Sequence, residues 1–169
     1  MNIEVKNLSK WYGQVIGVNN LNFNIGPGVT GFLGPNGAGK TTLIRLLTGQ
    51  LKPSKGELII GNEPVWNNHR ILRQIGYCPE MDAFWNYLTG WEFVFSLIRM
   101  HGFPRDEAEE RTRKAIKTMD IEKAQDKRIG SYSKGMRQRI KMAQAIAHEP
   151  AILFLDEPLN GMDPLGRRT

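Results

Sequence analysis

Apolar and polar residues alternate over residues 2–6, with Ile3 and Val5 against Asn2, Glu4 and Lys6, and alternate again over residues 21–25. Each pattern predicts a half-buried strand, and Gly26-Pro27-Gly28 turns the chain after the second. Two period-two strands this early predict a small antiparallel sheet. The apolar run Val29-Thr30-Gly31-Phe32-Leu33 predicts a further strand, and Leu43-Ile44-Arg45-Leu46-Leu47 places apolar residues at helical spacing until Gly49. Residues 57–61 read as another strand, and Ile75 to Pro79 as a short buried strand stopped by proline.

From Thr89 to about Lys141 the pattern is helical. Residues 91–98 are apolar on most faces, which predicts burial. Pro104 followed by Asp106 and Glu107 opens a helix along which Ala108, Thr112, Ala115, Ile116 and Met119 keep a 3.6-residue spacing. Residues 135–148 read as one more helix. The strongest buried-strand signal is Ala151-Ile152-Leu153-Phe154-Leu155, directly after Pro150. The order predicts an α/β chain of one domain over residues 1–169. In it, residues of about 1–83 and 142–169 form a β subdomain and core, and about 84–141 form an inserted helical subdomain.

Chemistry enters at Gly34-Pro35-Asn36-Gly37-Ala38-Gly39-Lys40-Thr41-Thr42, set between a predicted strand and a predicted helix. The stretch fits G-x-x-x-x-G-K-[ST]. Glycines let successive backbone N–H groups converge on phosphate oxygens, and a helix N-terminus adds partial positive charge. Gly34, Asn36, Gly37, Ala38, Gly39, Lys40, Thr41 and Thr42 are therefore expected to bind a nucleotide. Lys40 would reach the β- and γ-phosphates, and the Thr41 hydroxyl would bind Mg²⁺. Tyr12, in Trp11-Tyr12-Gly13, is the candidate to stack on the base; its other reading is an aromatic packed on the small sheet.

Three carboxylates stand at the exits of predicted strands, where ligands gather in open α/β sheets. Glu80 follows the strand ending at Pro79, and Asp156 and Glu157 follow the run 151–155. Asp156 is assigned to Mg²⁺, and Glu157, projecting the other way, to polarising the attacking water as general base.

Composition narrows the classes. The chain is 40% hydrophobic and 24% charged, with no apolar run near the roughly 20 residues a bilayer span needs. Residues 1–6 lack the apolar segment of a secretory signal. The single Cys78 excludes an intramolecular disulfide and reads as core filling. The net charge of +6 is concentrated between Arg105 and Lys141, where twelve Lys or Arg face seven Asp or Glu, interspersed as on a solvated helical surface. That distribution argues against nucleic acid as a partner.

Together these stretches resemble the ATP-binding cassette (ABC) family, the nucleotide-binding domains of ABC transporters, over essentially the whole chain. Gly34 to Thr41 is similar to the Walker A loop and Ile152 to Glu157 to the Walker B strand with its catalytic glutamate. Tyr12 falls at the family's base-stacking aromatic. Ser131-Tyr132-Ser133-Lys134-Gly135-Met136-Arg137-Gln138-Arg139 resembles the family signature, and Leu159-Asn160-Gly161-Met162-Asp163 the D-loop. The resemblance implies a P-loop NTPase core, RecA-like with a mainly parallel sheet, carrying an antiparallel β subdomain and an α-helical subdomain. It implies ATP and Mg²⁺ as cofactors and a head-to-tail dimer with a second nucleotide-binding domain. Ser133 and the Gly135 N–H of one copy would then contact phosphate held by the other. It also implies a transmembrane permease as partner, docking where Phe84, Trp85, Tyr87 and Trp91 stand unless these aromatics pack internally. The location would be the cytoplasmic face of a membrane, and the tone is closer to export cassettes than to import ones. A soluble ABC ATPase acting on nucleic acid or ribosomes and a non-catalytic nucleotide-binding regulator are the alternatives.

Three departures bear on that expectation. Tyr132, Lys134 and Met136 replace the usual residues of a Leu-Ser-Gly-Gly-Gln signature, with Lys134 either a further cation for phosphate or a solvated lysine. Glu80 stands where the family has glutamine, which keeps a hard oxygen ligand and adds charge. The sequence ends at Thr169, before the family's γ-phosphate histidine, so a truncated chain with weak or absent hydrolysis is expected.

Overall fold

A computed structural model of the chain describes residues 1–158, which divide into two compact units, Met1–Ile75 and a second beginning at Gly76. In the first unit, strands β1 (Ile3–Tyr12) and β2 (Val15–Ile25) form a long antiparallel hairpin. Strand β3 (Lys55–Ile60) pairs with the far edge of β1, and the short β4 (Glu63–Pro64) closes the order β2-β1-β3-β4. The hairpin is longer than its alternation predicts because the register shifts three times between Val5 and Trp11. Asn7, at φ 49°, lies within one of these irregularities, and Leu8 and Ser9 are both buried where strict alternation allows one. Trp11 and Tyr12 thus end a strand rather than sitting between two. Helix α1 (Lys40–Leu47) lays Leu43, Ile44, Leu46 and Leu47 into the core, and the short α2 (His69–Leu72), capped by the Asn68 side chain, adds Ile71.

The run at residues 29–33 is not a strand. A strand exists only where a neighbour completes its hydrogen-bond ladder, and among the described residues none lies beside it. Val29 and Leu33 are fully exposed at 105% and 98%, and Phe32 alone reaches inward, to Phe23 at 6.2 Å between ring centroids.

Beginning at the last residue of the first unit, β5 (Ile75–Cys78) is the hydrogen-bonded neighbour of β6 (Ile152–Leu155) in a parallel sheet. Between them run α3 (Gly90–Met100), α4 (Arg105–Thr118) and α5 (Lys134–Ile146). Thr89 and Glu92 make a reciprocal capping box at the start of α3, and Asp106 and Glu107 fill the first turn of α4. The three helices meet around Val94, Ile98, Ala108, Ile116, Ile129 and Ile140, each buried. Each fully buried branched side chain contributes about 1.5–3 kcal/mol. The predicted strand over 151–155 forms, yet only Phe154 is buried and Leu153 is 38% exposed. Among the described residues β6 has a single neighbour, so its apolar run is covered on only part of its surface.

Candidate functional site

The glycine loop acquires its shape from two residues that need the left-handed region. Gly37 has φ 82° and Gly39 φ 86°, a conformation that costs a side-chain-bearing residue roughly 1–2 kcal/mol. Gly39 is also the N-cap of α1, without a side-chain cap, so the first N–H groups of the helix are left for another acceptor. A Cβ on Gly39 would lie 2.3 Å from the carbonyl oxygen of Gly17 on β2, so the loop and the hairpin touch backbone to backbone. A cleft of about 510 Å³ opens there, lined by Gly17, Val18, Leu33, Ala38, Gly39 and Lys40 among others.

Within this unit the structure brings several expected site residues together. Lys40 Nζ donates to the carbonyl oxygens of Gly34 at 2.7 Å and Pro35 at 3.0 Å, spanning the loop from inside. The Tyr12 hydroxyl reaches Thr42 Oγ1 at 3.5 Å, which places the aromatic beside the first turn of α1. Its ring is 44% exposed and has Lys10 Nζ 5.7 Å from its centroid. Asn36, Gly37 and Ala38 are exposed, and Thr41 is half-buried on the first turn of α1.

The second unit holds the carboxylates. The Asp156 N–H donates to Cys78 O at 2.9 Å, extending the β5–β6 pairing by one residue and fixing the carboxylate at the strand exit. Asp156 is 5% exposed, and its Oδ2 is buried and accepts no hydrogen bond among the described residues. A buried carboxylate oxygen in that condition is costly unless a cation satisfies it, so the site fits a divalent ion. No three His, Cys, Asp or Glu side chains cluster among the described residues, so further oxygen ligands would come from hydroxyl and phosphate groups. Glu157 is exposed and has φ 53°, a left-handed conformation unusual for a non-glycine residue. Glu80 is exposed one residue past Pro79. Cys78 is fully buried, and burial pushes its thiol up to about 11, which keeps it protonated and inert.

The signature-like stretch wraps the start of α5. Tyr132, one of the departures, is 5% exposed and donates its hydroxyl to Ala124 O at 2.7 Å, with burial raising its phenol above the ordinary range. It anchors the motif in the helical core. Ser133 is the N-cap and accepts from Met136 N at 3.3 Å, and both Ser133 and Lys134 are exposed. Among the described residues a Cβ on Gly135 would meet nothing within 4 Å, so the helix start presents backbone that these residues leave open. Of the four aromatics, Phe84 and Trp91 pack on the helical core, while Trp85 and Tyr87 are 42% and 69% exposed. The D-loop resemblance at 159–163 lies outside the described residues.

Sequence reasoning missed one polar row. Gln138, Lys141 and Gln144, spaced three apart on α5, donate to backbone or thiol groups of residues 77–80 and to Pro158 O. The signal was available as polar residues recurring every third position beside the buried Ile140 and Ala143.

A family model described as ABC transporter matches residues 18–160. An uncharacterized ABC transporter ATP-binding protein of Nostoc sp. is 40% identical over 161 residues, covering 93% of this chain and 48% of that protein. The bacitracin transport ATP-binding protein BcrA of Bacillus licheniformis is 39% identical over 166 residues, covering 97% and 53%. The chain spans about half the length of the curated relatives it matches. Among solved structures, cbiO1 of Clostridium perfringens, part of the ABC transporter complex cbiONQ, superposes with a TM-score of 0.80 at 32% identity, covering 97% of this chain and 68% of that one.

Proposed function

Because the chain belongs to the ABC transporter family, we propose that it is the ATP-binding part of a transport ATPase, in which ATP and Mg²⁺ are held by its own loop and carboxylates. The observation that carries this reading is the glycine loop, whose left-handed Gly37 and Gly39 open α1 directly onto Lys40. Its backbone N–H groups and the α1 N-terminus bind the phosphates, and Lys40 exchanges its loop carbonyls for phosphate oxygens. Thr41, Glu80 and Asp156 are the residues that would hold Mg²⁺, which when bound would supply neutralisation of phosphate charge. Glu157 orients and polarises the attacking water.

The finer reading extends to assembly. Two copies, or a related subunit, pair head to tail, with Ser133 and the Gly135 N–H of each closing over the other's nucleotide; the exposed, open start of α5 supports this. The division into a β subdomain with core and a helical subdomain over about 84–141 belongs to the same reading. Trp85 and Tyr87 are the exposed aromatics available to a membrane permease. No described helix is long and apolar enough to cross a membrane. The relatives named for bacitracin transport support a transport role, and export is the direction proposed.

Equilibrium binding of labelled ATP to the full-length protein, with and without Mg²⁺, tests the reading together with phosphate release. Saturable binding that tightens with Mg²⁺ is expected; no saturable binding would overturn it. Tyr12→Ala is expected to weaken ATP about tenfold, the scale of one lost stacking contact, and to leave inorganic tripolyphosphate unaffected. An equal loss for both ligands would place Tyr12 in the packing of the sheet alone.

A further inference from the structure

Lys141 is 5% exposed, an unusual place for an ammonium. All three of its donor positions are used: Nζ lies 3.2 Å from Pro79 O, 2.9 Å from Glu80 O and 3.0 Å from Asp82 Oδ1. Asp82 also faces Arg137 of α5, at 3.6 Å from Oδ2. A buried ammonium is tolerated only when it is paired and saturated, so each of these acceptors is held firmly. The three acceptors bracket Glu80, whose backbone is fixed while its carboxylate stays exposed.

We propose that Lys141 is a positioning residue for Glu80: by capping the Pro79 and Glu80 carbonyls and pairing with Asp82, it locks the Glu80 loop to α5 and sets the carboxylate for Mg²⁺. The inference rests on the proposed function, and deepens it by naming what holds one ligand.

Two readouts on the full-length protein test it. In the metal-free, nucleotide-free protein, Lys141→Met is expected to speed proteinase K cleavage within residues 79–83 at least tenfold while leaving α3 and α4 uncleaved on the same time scale. With ATP present, it is expected to raise the Mg²⁺ concentration for half-maximal tightening at least fivefold, with ATP affinity in EDTA within twofold of the parent. Asp82→Asn, at a partly exposed position, keeps the carbonyl acceptors and should shift both readouts in the same direction by less; it carries the test if Lys141→Met does not fold. In a Glu80→Ala background, which has no side-chain oxygen to position, Lys141→Met should add no further change in Mg²⁺ dependence. Unchanged cleavage over 79–83 and unchanged Mg²⁺ dependence in both variants would overturn the proposal, as would an undiminished effect in the Glu80→Ala background. Failure of the parent to bind ATP at all would instead remove the reading beneath it.

Discussion

Gly39→Ala is expected to destabilise the protein by about 2–5 kcal/mol and to lower ATP affinity by at least roughly tenfold. Two separate costs add. The left-handed φ of 86° strains any residue with a Cβ by roughly 1–2 kcal/mol. The added Cβ would also stand 2.3 Å from Gly17 O and 2.9 Å from Val18 Cγ1. Backbone atoms have no rotamer through which to yield, so either the loop or β2 must shift, at about 1–3 kcal/mol. Gly13→Ala separates the two costs, because Gly13 has φ 60° and a Cβ added there would meet nothing within 4 Å among the described residues. Urea unfolding followed by tryptophan fluorescence should show a shift of roughly 1 kcal/mol for Gly13→Ala, from backbone strain alone, and a clearly larger one for Gly39→Ala. Equal shifts would mean that the contact with Gly17 is soft and that β2 does not buttress the loop.

The same contact explains what could and could not be read from the sequence. The glycine pattern identified the loop because its chemistry is local: φ above zero and a helix start depend on neighbours in the chain. That Gly39 must also clear a carbonyl on β2 is a long-range fact with no local signature. The helices α3 and α4 were legible because their amphipathic spacing matches a core they help to build, and β5 because proline marks its end. Residues 29–33 carried an equally good strand pattern, yet pattern states only what a strand would bury; the ladder has to come from elsewhere in the chain. The hairpin was read short because bulges near Asn7 break the period on which the reading depended. Lys141 was passed over since a lysine on a helix is most often solvated, and only the fold reveals that three acceptors from residues 79–82 surround it.

Asp156→Asn should separate stability from function in opposite directions. The Asp156 carboxylate sits 5% exposed, with Oδ2 accepting no hydrogen bond among the described residues, so in the metal-free protein that burial is costly. Asparagine keeps the shape and removes the charge, and metal-free stability is expected to hold or to rise by about 1 kcal/mol, the lower end of what an unsatisfied buried group costs. Binding should suffer. Whether the carboxylate meets Mg²⁺ directly or through water, its loss is expected to weaken the cation on the order of 10–100-fold, so the gain in ATP affinity on adding Mg²⁺ should largely vanish. The backbone is not the cause, because the Asp156 N–H to Cys78 O hydrogen bond is untouched by the substitution. Paired urea titrations and ATP titrations with and without Mg²⁺ decide the matter. A variant less stable than the parent in the absence of metal would show that the carboxylate serves the fold, and an undiminished Mg²⁺ effect would remove Asp156 from the cation site.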